Sequence, residues 1–370
     1  MELALIHNMD THNKICIVAE KDAIIRLCFN KEFIEGKILK HIFRNLADIL
    51  LIMDEDVFES EWNDSESEIR KFFEAYDIPR PRAISGLTQI YKNPGICTKF
   101  DPFALWLFDK SEQDVSNFRE YLGVWALSPQ SLSDDYFCLE HPREYDKDDV
   151  IDGSKDNGWG NYLEELPRPL PPINSIVLND RHLLLNTNEN TALRSGFYGL
   201  NNLKVLFNEL LPKNLKVPFH ILIFCQHPQM SIADTDIIVE QFIQDIKDLR
   251  NYTIEIEFVY DKSRHKRDLY TNYFRFWVDR AYNAFYNRDM KKLNGENDFK
   301  VVTYLNNPFT SGDTEYDSAR SKIKKVHEQC KEVFMAPDLS PKDKKGQIQE
   351  ELIKRVVTNS EDFYINRLFS

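Results

Sequence analysis

Apolar and polar positions alternate along this chain in blocks that predict strands and helices in turn. Short apolar runs bounded by polar residues are typical of strands buried in a sheet. Between these runs, apolar residues recur every three or four positions and predict amphipathic helices. The strongest predicted strands are ADILLIM (47–53), FHILIFCQ (219–226) and TIEIEFVYD (253–261). This order favours an α/β fold with mostly parallel sheets flanked by helices.

The alternation is interrupted once, between residues 140 and 172. This stretch is acidic and glycine-punctuated at its start, and it ends on the run LPRPLPP. Because proline removes backbone donors and favours extended chain, we interpret 140–172 as a linker or a long surface excursion. The predicted organisation is an α/β module over 1–139, this linker, a second α/β module over 173–310, and a C-terminal extension over 311–370 of two amphipathic helices, the second reaching Val356.

Composition limits the class of protein. With 370 residues, 42% of them hydrophobic, the chain has ample material for a packed core. A net charge of −13 disfavours a protein whose main task is to coat nucleic acid, which needs accumulated positive charge. The six cysteines form no C-x-x-C pair, so no zinc ribbon is indicated. Since the sequence shows neither a signal peptide nor an apolar run of bilayer length, we expect a cytoplasmic protein without a membrane segment.

One basic segment stands out against this acidic background. Between Lys262 and Lys292, nine basic residues oppose three acidic ones, and aromatic residues are interleaved with them. Cations with stackable rings are typical of surfaces that bind a phosphodiester or nucleic acid. The alternative is a structural element whose rings pack in the core while its cations face water.

The residues around His265 form the first candidate site. A predicted strand ends at VYD, a short turn follows, and His265, Arg267 and Asn272 then stand in the order His-x-Arg-x4-Asn. This order resembles the signature of the phospholipase-D-like superfamily, His-x-Lys followed four residues later by Asp. The resemblance implies that His265 attacks phosphorus, that Arg267 holds a non-bridging oxygen, and that Asn272 stands where that superfamily has its supporting aspartate. Lys266, Arg264 and Arg275 are the neighbouring candidates for anion binding.

Two functions follow from this resemblance. The chemistry of the superfamily uses two such motifs and this chain has one, so an active form would be a homodimer acting as a phosphodiesterase or nuclease-like hydrolase. Asparagine at position 272 cannot be the anionic partner that sustains an imidazolium. That substitution favours the alternative, a non-enzymatic accessory protein that uses a degenerate α/β fold to bind a protein partner.

A second candidate site lies in the first predicted module. Asp54 and Asp56 follow the predicted strand ADILLIM, and Glu20 follows another, ICIVA. Carboxylates at the ends of parallel strands suit Mg²⁺, the one cofactor that the sequence suggests. The pattern resembles the toprim arrangement of nucleases and topoisomerases. A solvated acidic loop is the alternative, because further acidic residues follow as far as Asp64.

Overall fold

The chain folds around two β-sheets that share part of their core. This description rests on a computed structural model. The residues that the structure describes are 14–87, 90–133, 137–147, 149–184, 198–228, 231–261, 267–279, 282–286, 290–293, 295–306, 314–335, 345, 354–358 and 366–369.

The first sheet is parallel throughout, as predicted for this part of the chain. Its strands are ordered β3-β2-β1-β4-β5, so the chain leaves β1 in one direction and later returns to its other side. The space between β1 and β4 is therefore a topological switch point, where open α/β sheets commonly bind ligands. The strands are β1 (Ile15–Ala19), β2 (Ala47–Leu51), β3 (Arg82–Ala83), β4 (Leu105–Leu107) and β5 (Trp125–Leu127).

Helices cover both faces of this sheet, which explains why its strands are apolar at nearly every position. Cys16 and Val18 of β1 belong to one apolar cluster, whereas Ile15 and Ile17 belong to another. The helices are α1 (Lys21–Leu27), α2 (Lys31–Glu35), α3 (Ile38–His41), α4 (Glu55–Asn63), α5 (Glu68–Ala75) and α6 (Glu112–Leu122), with a π-helical turn over Ile42–Leu46.

The second sheet is mixed, with antiparallel strand pairs beside parallel ones, and the two sheets with their helices confirm the predicted α/β fold. Its strands are ordered β15-β9-β8-β7-β10-β11-β14-β6, and β12 pairs separately with β13. The strands are β6 (Glu140–Tyr145), β7 (Ser175–Asp180), β8 (Phe219–Cys225), β9 (Ile254–Tyr260), β10 (Arg267–Thr271), β11 (Phe274–Val278), β12 (Phe285–Tyr286), β13 (Lys292–Leu293), β14 (Asn297–Thr303) and β15 (Arg355–Thr358). Four further helices are α7 (Gly158–Glu164), α8 (Tyr198–Leu210), α9 (Ile232–Lys247) and α10 (Glu315–Met335).

The connections explain the two strand directions in this sheet. β7, β8 and β9 run parallel because the crossover helices α8 and α9 lie between them in the chain. The connection from β10 to β11 is only Asn272 and Tyr273, which is too short for a crossover. These two strands therefore pair antiparallel, and the remaining pairings of the sheet are antiparallel as well.

Two predictions about local segments differ from the structure. Within the predicted linker, residues 140–145 form the edge strand β6 against β14, and α7 buries Trp159 and Tyr162. These parts of 140–172 belong to the second sheet and its core, because distant residues supply their partners. In the C-terminal extension, α10 confirms the first predicted helix. Val356 lies in β15 rather than in a second helix, whose remaining predicted residues fall almost entirely outside the described ranges.

The two sheets are joined through buried contacts. Val177 and Leu222 of the second sheet belong to the same apolar cluster as Leu105 of the first. The hydroxyl of Tyr273 accepts a hydrogen bond from the backbone N–H of Trp125 at 3.0 Å. The same hydroxyl donates one to the backbone carbonyl of Ala104, also at 3.0 Å. The tight turn between β10 and β11 therefore anchors one sheet to the other.

Candidate functional site

Five side chains from neighbouring strands form one row at the carboxyl ends of the parallel strands of the second sheet. Arg267 pairs with Asp180 across β10 and β7, and Arg355 pairs with Tyr260 across β15 and β9. Cys225 pairs with Tyr260 across β8 and β9. Across β7 and β8, Cys225 lies opposite Asp180, because the preceding residues of the two strands are paired. Because directly paired residues project from the same face of a sheet, these side chains share one face. We call these five residues the carboxyl-edge row.

Asp180 is the buried acid of this row. Its two carboxylate oxygens accept the backbone N–H groups of His182 at 2.9 Å and Tyr282 at 2.8 Å. Burial raises the pKa of Asp180 to about 6, against the lowering effect of these hydrogen bonds and of the Arg267 charge. A carboxyl group with a pKa in this range can exchange a proton near neutral pH, which is a common property of catalytic acids and bases.

Arg267 begins β10 and is half-buried. Its guanidinium donates to the backbone carbonyl of Asp279. Its Nε is buried and has no hydrogen-bond partner among the residues that the structure describes. A buried donor without an acceptor costs roughly 1–3 kcal/mol. Such groups are uncommon in native proteins and call for an explanation such as a ligand, an ion or a water.

Tyr260 of the row is fully buried, and so is His227, which lies beside the row two residues after Cys225. Their rings meet edge to face, with centroids 5.0 Å apart. Burial lowers the pKa of His227 and raises the pKa of Tyr260, so both side chains are neutral near pH 7. Beside them, Arg355 forms an ion pair of 2.7 Å with Asp236 of α9. Burial also raises the pKa of the Cys225 thiol, which makes it a poor nucleophile.

The predicted phospholipase-D-like residues are only partly described. His265, Arg264 and Lys266 lie outside the described residues, and they follow Asp261 and precede Arg267 in the sequence. Asn272 is fully buried at the turn after β10. Its side-chain oxygen accepts the N–H groups of Asn174 and Ser175 at 3.1 and 3.2 Å. Its amide nitrogen donates to the carbonyl of Pro102 at 2.9 Å. These bonds give Asn272 a structural task between the two sheets.

Arg275, a predicted anion holder, is already neutralised within the fold. Its Nε donates to the buried carboxylate of Asp268 at 2.7 Å, and Tyr270 donates to the other oxygen of that carboxylate at 3.0 Å. Burial acts to lower the pKa of Arg275, but the charge and hydrogen bond of Asp268, with Tyr270 and Glu315, together outweigh it and the pKa is raised. A further carboxylate, that of Glu315, lies 3.9 Å away. Arg275 therefore serves an internal ion pair.

No protein-family model and no curated protein matches this sequence.

The three predicted metal ligands occupy the carboxyl ends of the first sheet. Glu20 follows β1, and its carboxylate accepts the N–H of Asp109, which follows β4, at 2.6 Å. Asp54 precedes α4 and is exposed like Asp56; it caps the helix without a side-chain hydrogen bond. Asp109 is in turn paired with Arg26 at 2.7 Å. Across the described part of the chain, no three His, Cys, Asp or Glu side chains are grouped so that they could hold a metal ion.

A cleft of about 640 Å³ lies away from both candidate sites. It is bordered by α6, by the end of α8 and by the proline-rich run, with Leu166, Pro171 and Leu210 among its lining. None of the carboxyl-edge row residues is in its described lining. Among the helices in the described ranges, none has the length and apolar character needed to cross a membrane.

Sequence reasoning missed most of the carboxyl-edge row. Asp180 and Tyr260 of the row, and His227 beside it, come from three separate apolar runs, and no spacing between them marks a motif. The one signal available was positional, since each stands at or just after the end of a strongly apolar segment. The rule that α/β sheets carry sites at the carboxyl ends of their strands would have selected them once the strands were known to be neighbours.

Proposed function

We propose that the protein binds a phosphodiester or another phosphate-bearing ligand, nucleic acid included, at the carboxyl-edge row, and that it does so in the cytoplasm. The observation that carries this proposal is the buried Nε of Arg267, which has no acceptor among the described residues. A guanidinium is suited to phosphate because it offers several N–H groups in one plane and keeps its charge when buried. The basic character of the segment from Lys262 to Lys292 supports the same ligand class.

The row also contains a group that is suited to proton transfer. Asp180 lies opposite Arg267 in register, so a phosphate held by Arg267 would be close to a carboxyl group whose pKa is about 6. In its protonated form Asp180 would donate a hydrogen bond or a proton to an ester oxygen. This pairing supports a hydrolase of the phosphodiesterase or nuclease type. A second copy of the chain, as the phospholipase-D-like resemblance implies, would supply a second set of these residues.

The test compares wild type with Arg267→Gln, using binding of short single-stranded RNA and DNA and hydrolysis of bis(p-nitrophenyl) phosphate. We expect Arg267→Gln to weaken binding by about tenfold or more, because one charge-assisted hydrogen bond contributes roughly 1.5–3 kcal/mol. Arg70→Gln is the matched control, because Arg70 pairs with Glu74 on the surface of α5. His265→Ala tests the predicted nucleophile. Hydrolysis by wild type that is insensitive to EDTA, and that is lost in His265→Ala, would support this role of His265. Equal binding by wild type and Arg267→Gln would contradict the proposal.

A second function is favoured by the internal use of Asn272 and Arg275. Asn272, which stands at the aspartate position of the resemblance, and Arg275, a candidate for anion binding, are both bonded within the fold. A protein that keeps this fold to bind a protein partner, without catalysis, accounts for that use. Two results together would favour this function over the first. Cells that express Arg267→Gln would yield a stable complex with a protein partner, and wild type would bind no phosphate compound.

A further inference from the structure

Two buried polar atoms, one in the carboxyl-edge row and one beside it, lack a hydrogen-bond partner in the described part of the chain. They are Nε2 of His227 and the hydroxyl of Tyr260. Both side chains are fully buried, and their rings are in edge-to-face contact. A buried polar atom without a partner lowers stability, so two of them in contact call for an explanation.

The hydrogen bond on the other side of the His227 ring determines what Nε2 can do. Nδ1 lies 2.8 Å from the carbonyl oxygen of Pro228. A carbonyl oxygen only accepts hydrogen bonds, so Nδ1 carries the proton. Burial lowers the pKa of His227, and the ring therefore holds no second proton near pH 7. Nε2 is consequently a bare acceptor, and an O–H or N–H group of a ligand would satisfy it.

The hydroxyl of Tyr260 narrows the choice of ligand. Burial raises the pKa of Tyr260, so the hydroxyl keeps its proton and can donate it in a hydrogen bond. A ligand hydroxyl has the chemistry that suits both atoms, because it can donate to Nε2 of His227 and accept from Tyr260. A protonated amine donates but cannot accept, and a phosphate oxygen accepts but does not donate when ionised.

We infer that His227 and Tyr260 bind a hydroxyl group of the ligand, which makes the ligand a hydroxyl-bearing phosphate ester of the sugar-phosphate or polyol-phosphate class. This inference rests on the proposed function, since Arg267 has to hold the phosphate. The two ends of the site are compatible with such a ligand. β8, which leads to His227, is two strands away from β10, which carries Arg267, a distance of roughly 10 Å. β9, which carries Tyr260, is three strands from β10, a distance of roughly 14 Å that the long side chain of Arg267 and the ester would span together.

The test uses the full chain and two esters that differ mainly in their hydroxyl groups, glycerol 3-phosphate and n-propyl phosphate. Isothermal titration should show that wild type binds glycerol 3-phosphate at least tenfold more tightly. Tyr260→Phe should reduce that ratio to about one by weakening the binding of glycerol 3-phosphate. Arg267→Gln should weaken binding of both esters equally.

A second readout separates a ligand-binding hydroxyl from a structural one. Tyr260→Phe removes an unpartnered buried hydroxyl, so the ligand-free protein should melt at a higher temperature than wild type. Tyr252→Phe is the matched control, because the Tyr252 hydroxyl donates to the carbonyl of Pro212 at 2.7 Å and its loss should lower the melting temperature.

The possible results distinguish this inference from the proposal on which it rests. Equal binding of both esters by wild type, lost in Arg267→Gln, would overturn the hydroxyl site and keep the phosphate site. Binding of neither ester would count against both. A lower melting temperature for ligand-free Tyr260→Phe would overturn the hydroxyl site, because it would show that the hydroxyl already has a partner inside the protein.

Discussion

Replacement of Asn272 by Asp restores the residue that the phospholipase-D-like signature has at this position, and we expect it to damage the protein. In wild type, the side-chain oxygen accepts two backbone N–H groups and the amide nitrogen donates to the carbonyl of Pro102 at 2.9 Å. An ionised aspartate keeps the two N–H bonds but places a charged oxygen against that carbonyl. The site is fully buried, so the repulsion is little screened.

The expected loss of stability is considerable. The lost hydrogen bond costs about 1 kcal/mol, and the unsatisfied carbonyl with a buried charge adds about 2 kcal/mol or more. With a urea m-value of about 3 kcal/mol/M, a total of about 3 kcal/mol lowers the unfolding midpoint by about 1 M. Asn272→Ala should be at least as harmful, since it leaves three backbone groups without partners. At about pH 4 the Asn272→Asp variant should regain part of the lost stability, because a protonated carboxyl group can donate a hydrogen bond to the carbonyl of Pro102.

The assay is urea unfolding of wild type and both variants near pH 7, followed by tryptophan fluorescence. Asn251→Asp is the matched control at an exposed position, and its midpoint should change little. If Asn272→Asp had the same urea midpoint as wild type, Asn272 would not be the buried link between the sheets that the structure shows. A gain of phosphodiesterase activity in that variant would have the same effect, because it would show that position 272 belongs to a catalytic site.

Three further predictions concern other parts of the fold. Arg367 is buried and donates hydrogen bonds to the backbone carbonyls of Thr98 at 2.7 Å and Cys97 at 2.9 Å, and to the side chain of Asn174 at 2.8 Å. Because Arg367→Met leaves these acceptors without their donor, it should lower the free energy of unfolding by about 3 kcal/mol. An unchanged urea midpoint would contradict this. The pKa of Asp180 is about 6 in the folded state, against about 3.9 in the unfolded state. The contribution of Asp180 to stability is therefore complete below about pH 4. It is lost as the pH rises through 6, and the total loss is about 3 kcal/mol. The urea midpoint of Asp180→Asn should lack this decline between pH 4 and pH 7, and a decline equal to that of wild type would assign it to another group. Asp54→Ala should change stability by less than about 0.5 kcal/mol, because Asp54 is exposed and caps without a side-chain bond; loss of an Mg²⁺-dependent activity in this variant would instead restore the predicted metal site.

The parts of the fold that depend on neighbouring residues could be predicted from the sequence. Ser111 and Ser231 cap α6 and α9 as their spacing to Asp114 and Asp234 indicates, and the side chain of each serine accepts the N–H three residues ahead. The apolar runs of β2, β8 and β9 are strands because their side chains are buried whichever way the strand pairs. Together these local signals are sufficient to specify an α/β fold.

Tertiary structure decided the features whose partners are far apart in the chain. Residues 140–145 are polar and contain a proline, yet they form a strand because β14 offers them a free edge. Asn272 fits the spacing of a catalytic motif, but Pro102 and Asn174 make it a buried link between the sheets. The carboxyl-edge row brings together residues between positions 180 and 355, and strand order alone makes them neighbours. Sequence spacing carries no information about such proximity, because the order of strands in a sheet is set by packing and by the crossover helices.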